Sequence, residues 1–223
     1  MYIQFGRPNH RISDLHGDEN LATLKRSLPI AIIDDNAFPR VDALRRHGYH
    51  IDELGGDIRS VSQVANYPVV VCDIRGVGAA FASKFEGAHV ISEIRKTYPD
   101  KYLIAFTGET YSINFNTLIA SADVSLEKDV STDTWNEVLE SALHAIGTPK
   151  NRWIRFRTSL SSNGVDAFDI YSMEQAFIKA VKKRDPELMK RDKAVIELPP
   201  YLKPLALAFA ETAIKIAVKQ IGG

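Results

Sequence analysis

Two short, uninterrupted apolar runs in this chain end in aspartate. Ile30-Ala31-Ile32-Ile33 runs into Asp34-Asp35, and Pro68-Val69-Val70-Val71-Cys72 runs into Asp73. A strand with one face in water alternates apolar and polar residues. A strand that is apolar throughout is buried on both faces, as in a parallel sheet covered by helices. The segments between have helical spacing. Helices are expected over Pro39–His47, over Ile58–Asn66 with Ile58, Val61, Val64 and Ala65 on one face, and over Val90–Thr97. Further strands are expected at Tyr49–Leu54, Tyr102–Phe106 and Val124–Leu126. A last helix of this part is expected at Trp135–Ile146, with Ser131 or Thr132 as N-cap. Alternation at this spacing builds right-handed βαβ units, hence an α/β, doubly wound, five-stranded parallel sheet.

In such a sheet the working crevice lies outside the carboxyl ends of the strands. Those ends carry Asp34 and Asp35, Asp73, Thr107 and Lys128. Three carboxylates brought together repel one another and call for a cation, and hard oxygen donors select Mg²⁺ or a similar ion. A carboxylate in that setting, beside a lysine and a threonine, can attack a phosphoryl group while its neighbours stabilise the transferred oxygens. An aspartate at a strand end is also a common helix N-cap. That reading weakens when five chemical groups fall on the ends of strands of one sheet.

Charge divides the chain. Residues 1–148 hold 14 Lys+Arg against 20 Asp+Glu, and residues 149–223 hold 14 against 8, so a net of −6 faces a net of +6 and the total is zero. A neutral whole gives no electrostatic claim on nucleic acid or an acidic membrane. Gly147-Thr148-Pro149 is a helix stop, and the main boundary is placed there. The expected organisation is an extension over 1–27 with a short helix at Asn20–Ser27, a sheet domain over 28–148, and a small, mainly helical domain over 149–223. One cysteine, Cys72, excludes a disulfide framework and reads as strand packing. There is no apolar stretch of transmembrane length and no signal-peptide run, so a cytoplasmic location is expected.

Two local segments carry a resemblance. Ile94-Arg95-Lys96-Thr97-Tyr98-Pro99-Asp100, an apolar strand and then Thr107-Gly108 resemble the third helix, fourth strand and Thr/Ser-small motif of response-regulator receiver domains. Ser121-Ala122-Asp123-Val124-Ser125-Leu126-Glu127-Lys128 resembles the segment that presents the receiver lysine. The resemblance covers about residues 28–147 and implies a flavodoxin-like fold. It further implies Asp73 as phosphoacceptor, Asp34 and Asp35 with Asp73 as Mg²⁺ ligands, Thr107 as the group that reorients, and Lys128 as partner of the phosphoryl oxygen. A histidine kinase or phosphotransfer protein would be the donor, and the domain would catalyse only its own phosphorylation and dephosphorylation. The chain departs from the receiver pattern in three places. Asp129 follows the lysine in place of proline, Ser125 replaces the aromatic three residues before it, and the loop after Asp73 is about six residues longer than usual. These departures favour the alternative, a pseudo-receiver that serves as a phosphorylation-independent interaction module.

Other readings are weaker. A haloacid-dehalogenase-type phosphatase needs an acid/base aspartate two residues after the nucleophile, and Arg75 stands there. Gly76-Val77-Gly78 lacks the third glycine of a phosphate loop, with Phe81 in its place, and reads as loop flexibility. The histidines at 10, 16, 47, 50, 89 and 144 have no metal-ligand spacing. In the last quarter, helices are expected at Asn151–Leu160, Ser172–Arg184, from Glu187, and at Pro204–Ile221, with Ser161-Ser162-Asn163-Gly164 as a turn. The final helix is apolar on two faces, Leu205, Phe209 and Ile216 on one and Leu207, Ile214, Val218 and Ile221 on the other. That points to burial in a small helical domain or to a homodimer through these helices. A membrane-surface role resting on Lys203, Lys215 and Lys219 is a lesser reading. Arg152/Arg155/Arg157 and Lys182-Lys183-Arg184 are compatible with phosphate contacts, but no helix-turn-helix accompanies them, so DNA binding is unlikely.

Overall fold

The computed structural model describes residues 10–15, 17, 20–108 and 117–221, with side chains to residue 217. His16, and the side chains of Val218, Lys219 and Ile221, lie outside the described residues. The chain divides into two compact units. One is Asp18–Gly147; the other joins Met1–Gly17 to Thr148–Gly223.

The first unit is a five-stranded sheet of β1 (Ile30–Ile33), β2 (Ile51–Glu53), β3 (Val69–Asp73), β4 (Tyr102–Thr107) and β5 (Val124–Glu127). Its order is β2-β1-β3-β4-β5 and every neighbouring pair is parallel. This is the flavodoxin-like, doubly wound arrangement, with its switch point between β1 and β3. All of β1 and β3 is buried, whereas the edge strand β5 alternates between partly buried and exposed residues. Helices α1 (Leu21–Ser27), α2 (Val41–Arg46), α3 (Glu86–Thr97) and α4 (Thr132–Ile146) flank the sheet. The expected extension over 1–27 is thus divided. The Asn20 side chain caps α1 by accepting from the Ala22 and Thr23 amides, and Lys25 of α1 pairs with Glu140 of α4 at 2.8 Å. Residues 10–15 belong to the other unit.

Ile58–Asn66 does not form the expected helix. Only a 3-10 turn, Val61–Val64, is present, opened by a capping box between Ser60 and Gln63. The fully buried Lys101 ammonium takes the Ala65 and Tyr67 carbonyls at 2.7 and 2.8 Å, drawing them out of any continuing helical ladder. In contrast, α3 begins four residues before the expected start, at Glu86.

The second unit consists of α5 (Pro149–Ser162), α6 (Ala167–Lys183), α7 (Glu187–Lys190), α8 (Lys193–Ile196) and α9 (Lys203–Ile221). Thr148 accepts from the Asn151 amide as N-cap of α5, with Pro149 in its first turn. The core is aromatic: Phe209 stacks on Phe156 with ring centroids 4.0 Å apart and touches the rings of Phe177 and Trp153. Leu15 joins this core, the Gln175 amide donates to the His10 carbonyl, and Lys182 pairs with Asp14 at 3.5 Å. Leu205, Phe209 and Ile216 of one apolar face of α9 are buried, as is Ile214 of the other, with Leu207 partly buried against the same core. Arg152 is 1 % exposed, so the Arg152/Arg155/Arg157 cluster is not a continuous basic surface. No helix among the described residues is long and apolar enough to cross a membrane.

Phe209 has no room to collapse around a truncation. Phe209→Ala is expected to cost about 3–5 kcal/mol, read as a lowered urea midpoint with the slope of the transition unchanged.

Candidate phosphoacceptor site

Register places the acidic groups. Ile33 pairs with Cys72, so Asp34 and Asp73 are the next residues on adjacent strands. Asp73 pairs with Phe106 and Thr107 with Glu127, which puts Thr107 one step beyond Asp73 and Lys128 one step beyond the end of β5. Carboxylate oxygens of Asp34, Asp35 and Asp73 lie within 4.8 Å of one another, the one such acidic group among the described residues. Asp34 and Asp73 are buried and Asp35 is exposed. The set is all oxygen and carries excess negative charge, which fits a hard divalent cation such as Mg²⁺.

Lys128 answers one of the three charges. Its Nζ donates to Asp73 Oδ2 at 2.5 Å and lies 5.0 Å over the Phe106 ring. Partial burial works to lower its pKa, but the hydrogen bond to Asp73 and the fields of Asp73, Asp34 and Asp35 outweigh it and raise the value. Asp34 is pushed up, first by burial and further by the charges of Asp73 and Asp35. The Asn36 amide, which donates to Asp34 Oδ1 at 2.9 Å, and the Lys128 charge oppose the rise. Asp73 Oδ1 accepts from the Arg75 amide at 3.2 Å. Thr107 is buried, and its carbonyl accepts from the Lys128 amide at 2.9 Å. Phe38, Phe106 and Trp135 form an edge-to-face trio beneath the lysine, with centroids 5.1 to 5.7 Å apart. Cys72 is buried, and burial pushes its thiol far above the usual range, consistent with a packing role.

The five groups singled out from the sequence therefore meet at one end of the sheet. Three glycines and one glutamate that make the meeting possible were not singled out. A Cβ on Gly76 would fall 2.3 Å from Asp35 Oδ2, and one on Gly56 would fall 2.7 Å from Asp35 Cβ. A Cβ on Gly87 would fall 1.8 Å from the Asp73 carbonyl oxygen, so only glycine lets α3 start against the end of β3. Gly76 (φ 72°) and Gly78 (φ 74°) occupy left-handed conformations. Gly78 N–H donates to the Gly56 carbonyl, and Gly76 N–H donates to Glu86 Oε2 at 2.8 Å. Gly76 and Gly78 thus supply backbone conformations that the loop needs and that side chains disfavour. Positive φ and close approach were the signals available, and neither can be read without a second strand to approach. Ser125 pairs with Ala105 and is exposed. With Thr107, Gly108, Leu126, Glu127, Lys128 and Asp129 it lines an open hollow beside the acidic cluster.

No family model and no curated protein matches the chain. Among solved structures, the chain is similar to the beryllofluoride-activated receiver domain dimer of NtrC4. Identity is 21%, coverage is 53% of this chain and 98% of that one, and the TM-score is 0.44. It is also similar to the response regulator TrrA from Thermotoga maritima in complex with Mg²⁺ and beryllofluoride, at 23% identity, 52% and 99% coverage and TM-score 0.41. A CheY-like receiver domain protein from Methanospirillum hungatei matches at 19% identity, 54% and 96% coverage and TM-score 0.42. The fold assignment itself rests on the strand order.

Two outcomes follow from the geometry. Asp34 has a raised pKa in the fold, so its contribution to stability is present at acid pH and is lost as pH rises through the folded-state value. Asp34→Asn should therefore raise the melting temperature of the metal-free protein at neutral pH, with the gain vanishing near pH 3, and should weaken Mg²⁺ binding. Gly76→Ala forces a side chain onto Asp35, and is expected to weaken Mg²⁺ binding at least about 10-fold by calorimetry.

Proposed function

We propose that the chain is a two-component response regulator that accepts a phosphoryl group on Asp73 with Mg²⁺ and relays the change to its helical C-terminal unit. One observation carries the reading: Asp34, Asp35 and Asp73 converge within 4.8 Å, with the Lys128 ammonium bonded to Asp73 and to no other carboxylate of the cluster within ion-pair distance. Three carboxylates sharing one ammonium make a poor structural ion-pair network, but they suit a site that takes up a divalent cation and a phosphoryl group together.

In this reading an Asp73 oxygen attacks the donor phosphorus. The new bond is an acyl phosphate, the bond from phosphorus to the leaving group breaks, and the leaving group departs with the electron pair. Mg²⁺ held by Asp34, Asp35 and Asp73 would offset the charge on the phosphoryl oxygens. Asp73 is 1 % exposed and the Lys128 side chain 41 % exposed, so Lys128 is the group free to swing aside, admit the donor and pair with the phosphoryl oxygen. The Arg75 amide donates to the Asp73 carboxyl, and Thr107, at the end of β4, would turn toward the new group. A histidine kinase or phosphotransfer protein is the proposed donor, in the cytoplasm, with output through a partner or a second copy meeting the C-terminal helices. The rival reading, a pseudo-receiver that binds a partner without phosphorylation, is favoured by the exposed Ser125 and by Asp129.

Incubation with Mg²⁺ and a small phosphodonor separates them. The wild-type protein is expected to gain the mass of one phosphoryl group, Asp73→Asn none, and Lys128→Ala about 10-fold less at equal times. No gain in the wild-type protein would leave the interaction module as the reading.

A further inference from the structure

The lysine of the site is held at its backbone as well as at its ammonium. β5 ends at Glu127, so Lys128 is already in the turn that leads to α4, and Asp129 follows it. Nothing in the residue types there fixes that turn: no proline or glycine is present, and both Lys128 and Asp129 are exposed. Its first anchor is local, the Lys128 amide donating to the Thr107 carbonyl. Its second comes from 88 residues away. Arg40, the residue before α2, donates through Nη1 to the Lys128 carbonyl at 3.1 Å. Arg40 makes no capping bond to its own helix. Its guanidinium links the loop that follows Asp34 and Asp35 to the loop that carries the lysine.

We infer that Arg40 is a positioning residue for Lys128: its bond to the Lys128 carbonyl sets the turn so that the ammonium is aimed at Asp73. A lysine side chain has four rotatable bonds and loses much entropy when its head is confined. Confinement at Asp73 is therefore effective only if the backbone that launches the side chain is itself fixed. With the amide bonded to Thr107 and the carbonyl bonded to Arg40, the Lys128 peptide units on both sides are oriented. A guanidinium offers several donors in a rigid plane, which suits bridging two loops. Arg40 thereby does by a hydrogen bond what a rigid residue at position 129 would do by covalent geometry. The inference rests on the phosphoacceptor reading for the purpose of Lys128, but the clamp belongs to the free protein and can be tested without phosphorylation.

The test uses the full chain as wild type, Arg40→Ala and Arg40→Lys, with three readouts: amide hydrogen exchange at residues 127–130, Mg²⁺ affinity, and half-saturation by beryllofluoride at saturating Mg²⁺. In Arg40→Ala, exchange at 128–130 is expected to rise at least about 3-fold and beryllofluoride half-saturation to rise about 3- to 10-fold, while Mg²⁺ affinity holds. Arg40→Lys keeps one donor and is expected to recover part of both effects, and it serves as the readable variant should the alanine protein fold poorly. Unchanged exchange at 128–130, or equal losses of Mg²⁺ and beryllofluoride binding, would overturn the inference. A wild-type protein that ignores beryllofluoride would overturn the phosphoacceptor reading alone, because the exchange comparison still decides the clamp.

Discussion

The carboxyl end of the sheet holds more negative charge than its own lysine can answer, and the fold gives that charge nowhere to go. Asp34 and Asp73 follow directly from Ile33 and Cys72, which are paired across β1 and β3. Separating the two carboxylates would mean breaking a ladder whose residues are fully buried. Two unit charges about 4 Å apart interact by about 4 kcal/mol at an effective dielectric near 20. That is comparable to a large part of a domain's net stability. Lys128 relieves one such contact, and Asp34 is pushed up by its burial first and by the charges of Asp73 and Asp35 after it. The apolar strands thus hold the carboxylates together, and a cation taken up there would offset part of the cost of holding them.

Loops complete the site by close approach. Asp35 is boxed in by Gly56 after β2 and Gly76 after β3, and the start of α3 reaches the Asp73 carbonyl only because residue 87 has no side chain. Glu86, with φ at 47°, takes the Gly76 amide and so ties the first turn of α3 to the loop that lies against Asp35. A non-glycine residue in that conformation is held there by its surroundings. The long loop after Asp73 is for this reason a shaped segment, held near its start, where Gly76 N–H donates to Glu86 at the beginning of α3 and Gly78 N–H donates to the Gly56 carbonyl.

What could be read from the residues alone follows the same division. Strand ends were legible because a buried strand has one composition and the chemistry sits immediately after it: Asp34, Asp73 and Thr107 each follow a run whose burial is written in its residues. Five parallel strands follow from alternation and handedness, whereas their flavodoxin-like order was implied by the resemblance alone. The stretch Ile58–Asn66 was misread because its apolar spacing is genuine, while the decisive competitor, the Lys101 ammonium, is 34 residues away from Tyr67 in the chain. Gly76 and Gly87 were legible as glycines but not as necessities, because what they approach lies on another strand. The split of residues 1–27 was hidden for a similar reason: Leu15 and Leu24 look alike, and only three-dimensional neighbours assign one to the aromatic core and the other to the sheet unit.

Ser125 and Asp129 lie at the periphery of the site, outside the set of carboxylates, threonine and lysine. The acidic groups, the threonine and the lysine are fixed by strand ends and register, and neither Ser125 nor Asp129 contributes to that register beyond one pair with Ala105. Ser125 puts a hydroxyl, not an aromatic ring, on β5 beside Ala105 of β4. The aromatic mass of this site lies elsewhere, under Lys128, where Phe106, Phe38 and Trp135 come from β4, the loop before α2, and α4. The lysine ammonium sits over the first of these rings. Lys128 thus lies over a buried cluster drawn from three elements, whereas Ser125, on the strand beside β4, is exposed.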